Sequence, residues 1–589
     1  MSALPTRTSK PPRPLWIKHS LMITPLIVLL LAFLVYPVGK LLSLSFIGRD
    51  GFSLAAYQQL FASSLYLNVL WITLKISLAT TALSVVLGYP VAYLISTAGP
   101  KAKSWLIFLV LLSFWTSFLV RAFAWVVILG RNGAINQFLL AIGVIDRPAN
   151  LIYSLGAVLV GMVHAMLPLA VMTMLSVMEN IDRNLPRAAS TLGARPGSAF
   201  WTVYFPLSMP GVAAAAIMVF VTSIGFFIVP ALLGGRFETM ITQLIIDQVQ
   251  QTLNWGLAGA ISVLLLVVVL AVFVIYDRIF GFESLTGETS AINVNRDTAA
   301  RRAGAKFLAI IGDISDRLIA LFPGSRKSSD AETSPKLLSG FVWALLIMIS
   351  LPAIMMIPIS FSAAGLNWPP SGFTMQWYEQ MWNTPVWSQA LWRSLVVALG
   401  AGILSMLIGI PAAFLLARAN IRGKAAILAF VLSPIVAPRI IIAVGLFYVF
   451  AELGLVGTSL GLIIGHTVVC VPYVVMTMVA VLRNYDTRLD LAAQSLGASP
   501  MKSLAYVTFP MLAAGMFSAF LFAFATSFDE LTIALFSSGG LNSTLPKQFW
   551  DEVTLQVSPV IAAVSTCLLV FISVLIFVAD RLRQRSMSR

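Results

Sequence analysis

Long apolar runs recur along the chain, each close to the about 20 residues that carry a helix across a lipid bilayer. In the first half they fall near Leu21–Leu41, Val69–Ile95, Trp105–Leu129, Leu151–Met178, Pro206–Leu232 and Leu257–Ile279. In the second they fall near Leu337–Phe361, Leu391–Ala417, Ala425–Phe450, Leu460–Leu482, Phe509–Phe536 and Val560–Ala579. The pattern predicts an all-α membrane protein of twelve transmembrane helices, set out as two six-helix parallel repeats. Residues 1–280 form the first repeat, 281–336 a linker and 337–589 the second repeat. The first run follows a basic tail, as a signal peptide would. No small-x-small cleavage site follows it and Tyr36-Pro37 is a poor substitute, so the run is read as a retained span.

The linker breaks the apolar pattern. It carries Arg296, Arg301, Arg302 and Lys306 with Asp297, Asp313 and Asp316, and runs into Pro323-Gly324-Ser325-Arg326-Lys327. Within it Phe307, Ile310, Ile311, Ile314, Leu318, Leu321 and Phe322 recur at helical spacing. That spacing predicts an amphipathic helix lying on the inner membrane surface, inside a tether too short to bury a core of its own.

The two halves answer each other in sequence. Ala188-Ala189, Leu192-Gly193-Ala194 and Pro196 pair with Ala492-Ala493, Leu496-Gly497-Ala498 and Pro500, all the same distance apart in the chain. Phe205-Pro206 and Gly211 pair with Phe509-Pro510 and Gly515 in the same register, and Gly88-Tyr89-Pro90 answers Gly409-Ile410-Pro411. An even number of spans per half gives both halves one orientation, with a pseudo-twofold axis along the membrane normal. Such a duplicated bundle implies a pathway between its halves.

Composition agrees with the pattern. Of 589 residues, 59% are hydrophobic and only 10% charged, against about a quarter charged in ordinary soluble domains. A disordered chain, a disulfide scaffold and a water-soluble enzyme are excluded. The net charge of +15 is spread over short loops and tails. With the N-terminus in the cytoplasm, the basic surplus sits inside, on Arg7, Lys10 and Arg13, Lys101 and Lys103, Arg418, Arg422 and Lys424, and Arg581, Arg583 and Arg585. Topology therefore accounts for the charge and no nucleic acid partner is needed. Cys470 and Cys567 lie in apolar runs and read as buried, unpaired thiols, while His164 and His466 read as packed helix residues with hydrogen-bond partners. His19, His164 and His466 lack metal-ligand spacing, so no metal and no cofactor is expected.

The duplicated segment lies between the fourth and fifth spans of each half, on the inner side. Leu185, Ala188, Ala189 and Leu192 make one apolar stripe, and Leu489, Ala492, Ala493 and Leu496 the other. Small alanines admit a close neighbour. Gly193 and Gly497 can take a positive φ and turn the chain between two short helices, and Pro206 and Pro510 suit the first turn of the helices that follow. One copy could be an amphipathic turn packed on its own bundle. Two copies at matching places point to a surface gripped by a partner.

The pattern E-A-A, three residues, G, nine residues, I-x-L-P resembles the coupling loop of permease subunits of ATP-binding-cassette importers. Here it reads Arg187-Ala188-Ala189…Gly193…Val203-Tyr204-Phe205-Pro206 and Leu491-Ala492-Ala493…Gly497…Val507-Thr508-Phe509-Pro510. Both copies depart at the acidic position, held by Arg187 and Leu491, and neighbouring Asp490 is the carboxylate placed to stand in for it. A finer resemblance is to spermidine/putrescine-type permeases with both subunits fused. Phe114-Trp115-Thr116-Ser117-Phe118-Leu119-Val120-Arg121 and Pro230-Ala231-Leu232-Leu233-Gly234-Gly235 look like the first subunit; Ser527-Phe528-Asp529-Glu530-Leu531-Thr532 and Thr544-Leu545-Pro546-Lys547-Gln548 look like the second.

The resemblance implies a non-catalytic permease subunit in a bacterial cytoplasmic (inner) membrane, with both termini cytoplasmic. Its partners would be membrane lipid, two copies of a cytoplasmic ABC ATPase on the two loops, and an external, periplasmic substrate-binding protein. The chain has no G-x-x-x-x-G-K-[ST], so ATP hydrolysis falls to a separate subunit. Its solute would be a small amino-bearing molecule, polyamines first, with an opine, amino acid or aminophosphonate as alternatives. Counted along the helix, Asp529 and Glu530 stand about 30 Å from its inner end, at the outer mouth. Trp115 adds a face for cation–π contact there. Arg121 and Arg439 complete the candidate pathway set; Arg439, about 21 Å up its helix, needs a partner or a wet cavity and would suit an anionic or zwitterionic solute. A proton- or ion-coupled secondary transporter is the competing reading, although such proteins place carboxylates or His near the midplane and the acids here cluster at span ends.

Overall fold

The computed structural model describes residues 15–48, 51–280, 299–320, 336–419, 421, 423–539, 542–555 and 557–587. The N-terminal basic tail and linker residues 281–298 and 321–335 lie outside the described residues, so the expectations placed on Arg7, Lys10, Arg13, Arg296, Asp297, Leu321 and Phe322 do too. Nearly all of what is described is helix. Among the described residues, ten helices are long and apolar enough to cross a membrane. The pair Lys424–Val436 and Arg439–Glu452 reaches that length jointly but bends by 90°, and Val560–Val574 is a shorter apolar stretch. The architecture is an all-α membrane protein with about ten candidate spans.

The third run of each half departs most from expectation, because it is interrupted. In the first half the chain makes Pro100–Trp115, then Phe118–Leu129. Thr116 and Ala437, the residues at the two breaks, both have extended backbone, with ψ of 132° and 131°. Ala437 precedes Pro438, whose ring disfavours a helical predecessor and which brings no N–H. Thr116 turns its hydroxyl back to the Leu112 carbonyl at 2.7 Å. Backbone freed at such depth is tolerated only inside protein or beside water.

The chain divides into two compact units, and these interleave the sequence repeats. One comprises Met1–Leu44, Thr384–Gln548 and Phe577–Arg589, the other Ser45–Asn383 and Phe549–Ile576. Each is built on the same three-helix core: Ser64–Thr97, Leu155–Met178 and Phe205–Ile224 in one, Pro385–Arg418, Ser459–Arg483 and Phe509–Phe528 in the other. The repeated glycines explain themselves here. A Cβ on Gly88 or Gly409 would lie 3.0 Å from Met174 Cε or 2.8 Å from Val474 Cγ1. On Gly211 or Gly515 it would lie 2.9 Å from Val177 Cβ or 2.6 Å from Val481 Cγ1. Small residues at both crossings bring the helices into close contact, the usual basis of packing in lipid.

Each core also holds the helix that opens the other repeat. The first helix, continuous from Leu15 to Leu44 through a π-turn at Leu31–Val35, packs on Arg439–Glu452 and Pro385–Arg418. A Cβ on Gly445 would meet the Pro37 carbonyl oxygen at 2.7 Å, so this crossing is backbone against backbone. Lys336–Ser360 in turn packs on Pro100–Trp115 and Phe118–Leu129. His164 joins this packing: Trp125 Nε1 donates to its Nδ1 at 3.0 Å and its Nε2 donates to the Ile349 carbonyl at 2.6 Å. Cys470 is buried and free as expected; Cys567 is also free, but exposed on the outer face of its helix instead of packed inside.

Candidate functional site

The two duplicated loops fold alike, bond for bond. In the first, helix Asn184–Thr191 ends at Gly193 (φ +91°) and short helix Pro196–Ala199 follows. In the second, helix Arg488–Ser495 ends at Gly497 (φ +88°), followed by Pro500–Ser503. The Gly193 N–H donates to Ser190 and that of Ala194 to Ala189, and the Gly497 and Ala498 N–H groups donate to Gln494 and Ala493. These bonds form a left-handed C-cap, which glycine adopts without the penalty a Cβ brings. A π-turn then carries the chain from Phe200 or Leu504 into the next long helix, with Pro206 and Pro510 in its first turn.

Both loops present their apolar stripe outward. Leu192 is 88% exposed and Leu496 89%. Arg187, Ala188, Leu491 and Ala492 are exposed, and Ala189 and Ala493 half-buried. Among the described residues, nothing stands within 4 Å of where a Cβ on Gly193 or Gly497 would be. A turn packed on its own bundle would bury these residues. The leucines and the small residues around them are left open on the surface instead.

What holds each loop differs. In the second, Asp490 is 9% exposed and gathers its surroundings. It accepts from Arg418 Nη1 at 2.9 Å, Tyr485 Oη at 2.9 Å, Thr508 Oγ1 at 2.6 Å and Ser503 Oγ at 3.4 Å. Burial alone would raise its pKa, but the hydrogen bonds from Thr508 and Tyr485 and the Arg418 charge outweigh it and hold the carboxyl below its usual range. Asp490 thus faces inward, spent on its own loop, and is not the outward carboxylate that its place beside Leu491 suggested. The first loop has Pro186 in the corresponding place. It is held by Arg183, whose guanidinium bonds the Ser96 carbonyl, and by Tyr204, whose hydroxyl lies 3.1 Å from Ser96 Oγ and whose ring meets Tyr93 edge-on.

The candidate pathway residues separate into two environments. Glu530 is 1% exposed, and its carboxylate accepts the N–H groups of Thr532 (3.1 Å) and Ile533 (2.8 Å). Arg439, half-buried, hydrogen-bonds Tyr473 and has Glu530 as its counter-charge. His466 Nε2 stands 3.9 Å from Glu530 Oε2, and its Nδ1 meets Ser527 Oγ at 2.8 Å. Arg439 therefore has its charge answered within the protein, which removes its argument for an anionic solute. Arg121 is 3% exposed, stacks on Phe118 at 4.5 Å and donates to the Ala165 carbonyl at 3.3 Å. Asp529 and Trp115 are half-buried. Sequence reasoning missed Tyr473 and His466 as members of the Arg439–Glu530 cluster, since these two share one helix while Arg439 starts another and Glu530 lies in the loop after Phe528, and no local spacing links the three segments.

Duplicated loop, repeated core and apolar helices together define a membrane transport component. The chain belongs to the family described as the inner membrane component of binding-protein-dependent transport systems, which matches residues 84–281 and 405–588, once in each half. It is similar to the spermidine/putrescine transport system permease protein PotB of Haemophilus influenzae, with 34% identity over 256 residues, 42% of this chain and 89% of that protein. It is also similar to the permease protein PotC of the spermidine/putrescine system of Escherichia coli, with 30% identity over 252 residues, 42% of this chain and 94% of that protein. Each relative spans under half of this chain, as expected of a fusion of two permeases. Among solved structures, a chain of a bacterial ABC transporter involved in import of the acidic polysaccharide alginate aligns with a TM-score of 0.34 and 16% identity, covering 43% of this chain and 98% of that one, too loose a likeness to argue from.

Proposed function

We propose that this chain is the whole transmembrane part of an ATP-driven importer for polyamines. Two permeases are fused, so that one polypeptide of twelve spans, with both termini and the linker in the cytoplasm, supplies the translocation pathway. Two copies of a cytoplasmic ABC ATPase each take one loop, around Gly193 and Gly497, and an external binding protein delivers the solute. The observation that carries this reading is the pair of loops with the same backbone and the same outward leucine. A secondary transporter has no use for two such surfaces. The polyamine assignment follows the names of the relatives, and Asp529 is the carboxylate we assign to the ammonium group.

The test is Gly193→Glu and Gly497→Glu. Both positions are open, so the substitution costs only the left-handed backbone, about 1–2 kcal/mol. Each variant should insert normally, lose import of radiolabelled putrescine, and no longer retain an ATPase through detergent extraction. Wild-type import by both variants would refute the coupling assignment.

A further inference from the structure

We infer that the linker is a working part of the first coupling loop, through Asp316 as its positioning residue; this rests on the reading of the loops as ATPase docking sites. The linker helix Ala299–Ala320 meets the first loop. Phe307, Ile310 and Ile314 are exposed, whereas Gly312 and Asp316 are buried against Gly197 and Ser198. Asp316 Oδ1 accepts the Gly197 N–H at 2.7 Å, and Oδ2 accepts the Ser198 N–H at 3.0 Å and the Ser198 hydroxyl at 2.5 Å. These are the amide groups that begin the short helix Pro196–Ala199. A helix start leaves its first N–H groups without partners, and a carboxylate there is a strong cap.

The second loop shows what the first lacks. Its corresponding helix is capped from within, by Ser499, whose hydroxyl accepts the Lys502 N–H. The residue in the place of Ser499 is Arg195, which makes no side-chain cap. Two neighbours change in the same sense. Gly197 stands where the second loop has Met501, 73% exposed, and Ser198 where it has Lys502. A Cβ on Gly197 would lie 2.7 Å from Asp316 Oδ1 and 3.0 Å from Ser315 Cβ, and one on Gly312 would lie 3.1 Å from Ser198 Cα. The cap, the gap and the hydroxyl are all fitted to the linker helix in the first loop, and all are missing from the second. The two loops would thus offer the ATPase the same outward leucine on differently supported bases. The first depends on the linker to keep its second helix in place; the second is held by its own Ser499 cap and by the Asp490–Ser503 hydrogen bond.

The experiment compares Asp316→Ala, the double variant Asp316→Ala with Arg195→Ser, and the wild type, each as the full chain in lipid nanodiscs. Hydrogen–deuterium exchange is read over residues 196–204, with 500–508 as internal reference. Asp316→Ala should speed exchange at Gly197 and Ser198 at least tenfold and leave the reference unchanged. The double variant, which gives the first loop the self-cap of the second, should bring exchange back toward the wild type. Putrescine import per chain present in the membrane should fall with Asp316→Ala and recover in the double variant, whereas a role confined to folding would lower the amount of chain and leave import per chain unchanged. Unchanged exchange in Asp316→Ala, or import at the wild-type level despite faster exchange, overturns the inference. Import that survives Gly193→Glu strikes at the coupling reading instead, and leaves the exchange result to decide the cap.

Discussion

Asp490→Asn is the substitution whose consequence the structure lets one work through. Asn keeps an oxygen that can accept from Thr508 and Tyr485, but it turns an amide toward Arg418, where a carboxylate oxygen now stands 2.9 Å from Nη1. One charge-assisted hydrogen bond is lost, about 1.5–3 kcal/mol for a mostly buried acceptor. Arg418 keeps its stacking on Phe414 and Tyr485, at 5.1 and 5.2 Å, so the lower part of that range applies, about 2 kcal/mol. A 2 kcal/mol loss in local opening free energy corresponds to about 30-fold faster exchange. The assay is hydrogen exchange over residues 488–508 at neutral pH, with 184–204 in the same sample as control. The pH dependence follows from the depressed carboxyl. Its stabilisation is complete above the unfolded value of about 3.9 and is lost as pH falls through the lower folded value. After correction for intrinsic exchange, the wild-type loop should loosen only below about pH 4, and the Asn variant should show no such step. Exchange over 488–508 that does not change on substitution would refute the account of Asp490 as the organiser of this loop.

Three further outcomes are expected. Gly445→Leu sets a side chain against the Pro37 backbone, which cannot move aside as a side-chain tip would, so the first helix should pack less firmly, at a cost of about 1–3 kcal/mol. A thermal midpoint within error of the wild type would show that this crossing is looser than described. Asp529→Asn should raise the KM for putrescine import at least tenfold with little effect on yield, whereas Glu530→Gln should lower yield and thermal stability by leaving Arg439 without its counter-charge. A silent Asp529→Asn would remove the carboxylate basis of the polyamine assignment.

Much of this protein was legible along the chain because its causes are local. Apolar runs of bilayer length determine the helices. A glycine that must turn left-handed, flanked by alanines and followed by a proline in a helical first turn, specifies the loop at Gly193 and again at Gly497, and duplication makes the motif stand out. The interrupted third run had its signs in Pro438 and Thr116, yet apolar character continues across both breaks and periodicity alone reads each as one span. Which helices share a core was not legible at all. Gly445 against Pro37, and His164 against the Ile349 carbonyl 185 positions away, join residues far apart in the chain, and long-range packing leaves no period in a sequence. Charge behaves the same way. Glu530 and Arg439 looked like residues waiting for a solute, and Asp490 like one waiting for an ATPase, because a sequence shows that a charge is present and not what neutralises it. Only the tertiary structure could supply Arg439 for Glu530, Arg418 for Asp490, and, for Asp316 in a linker that reads as a tether, the two amide groups of the loop it caps.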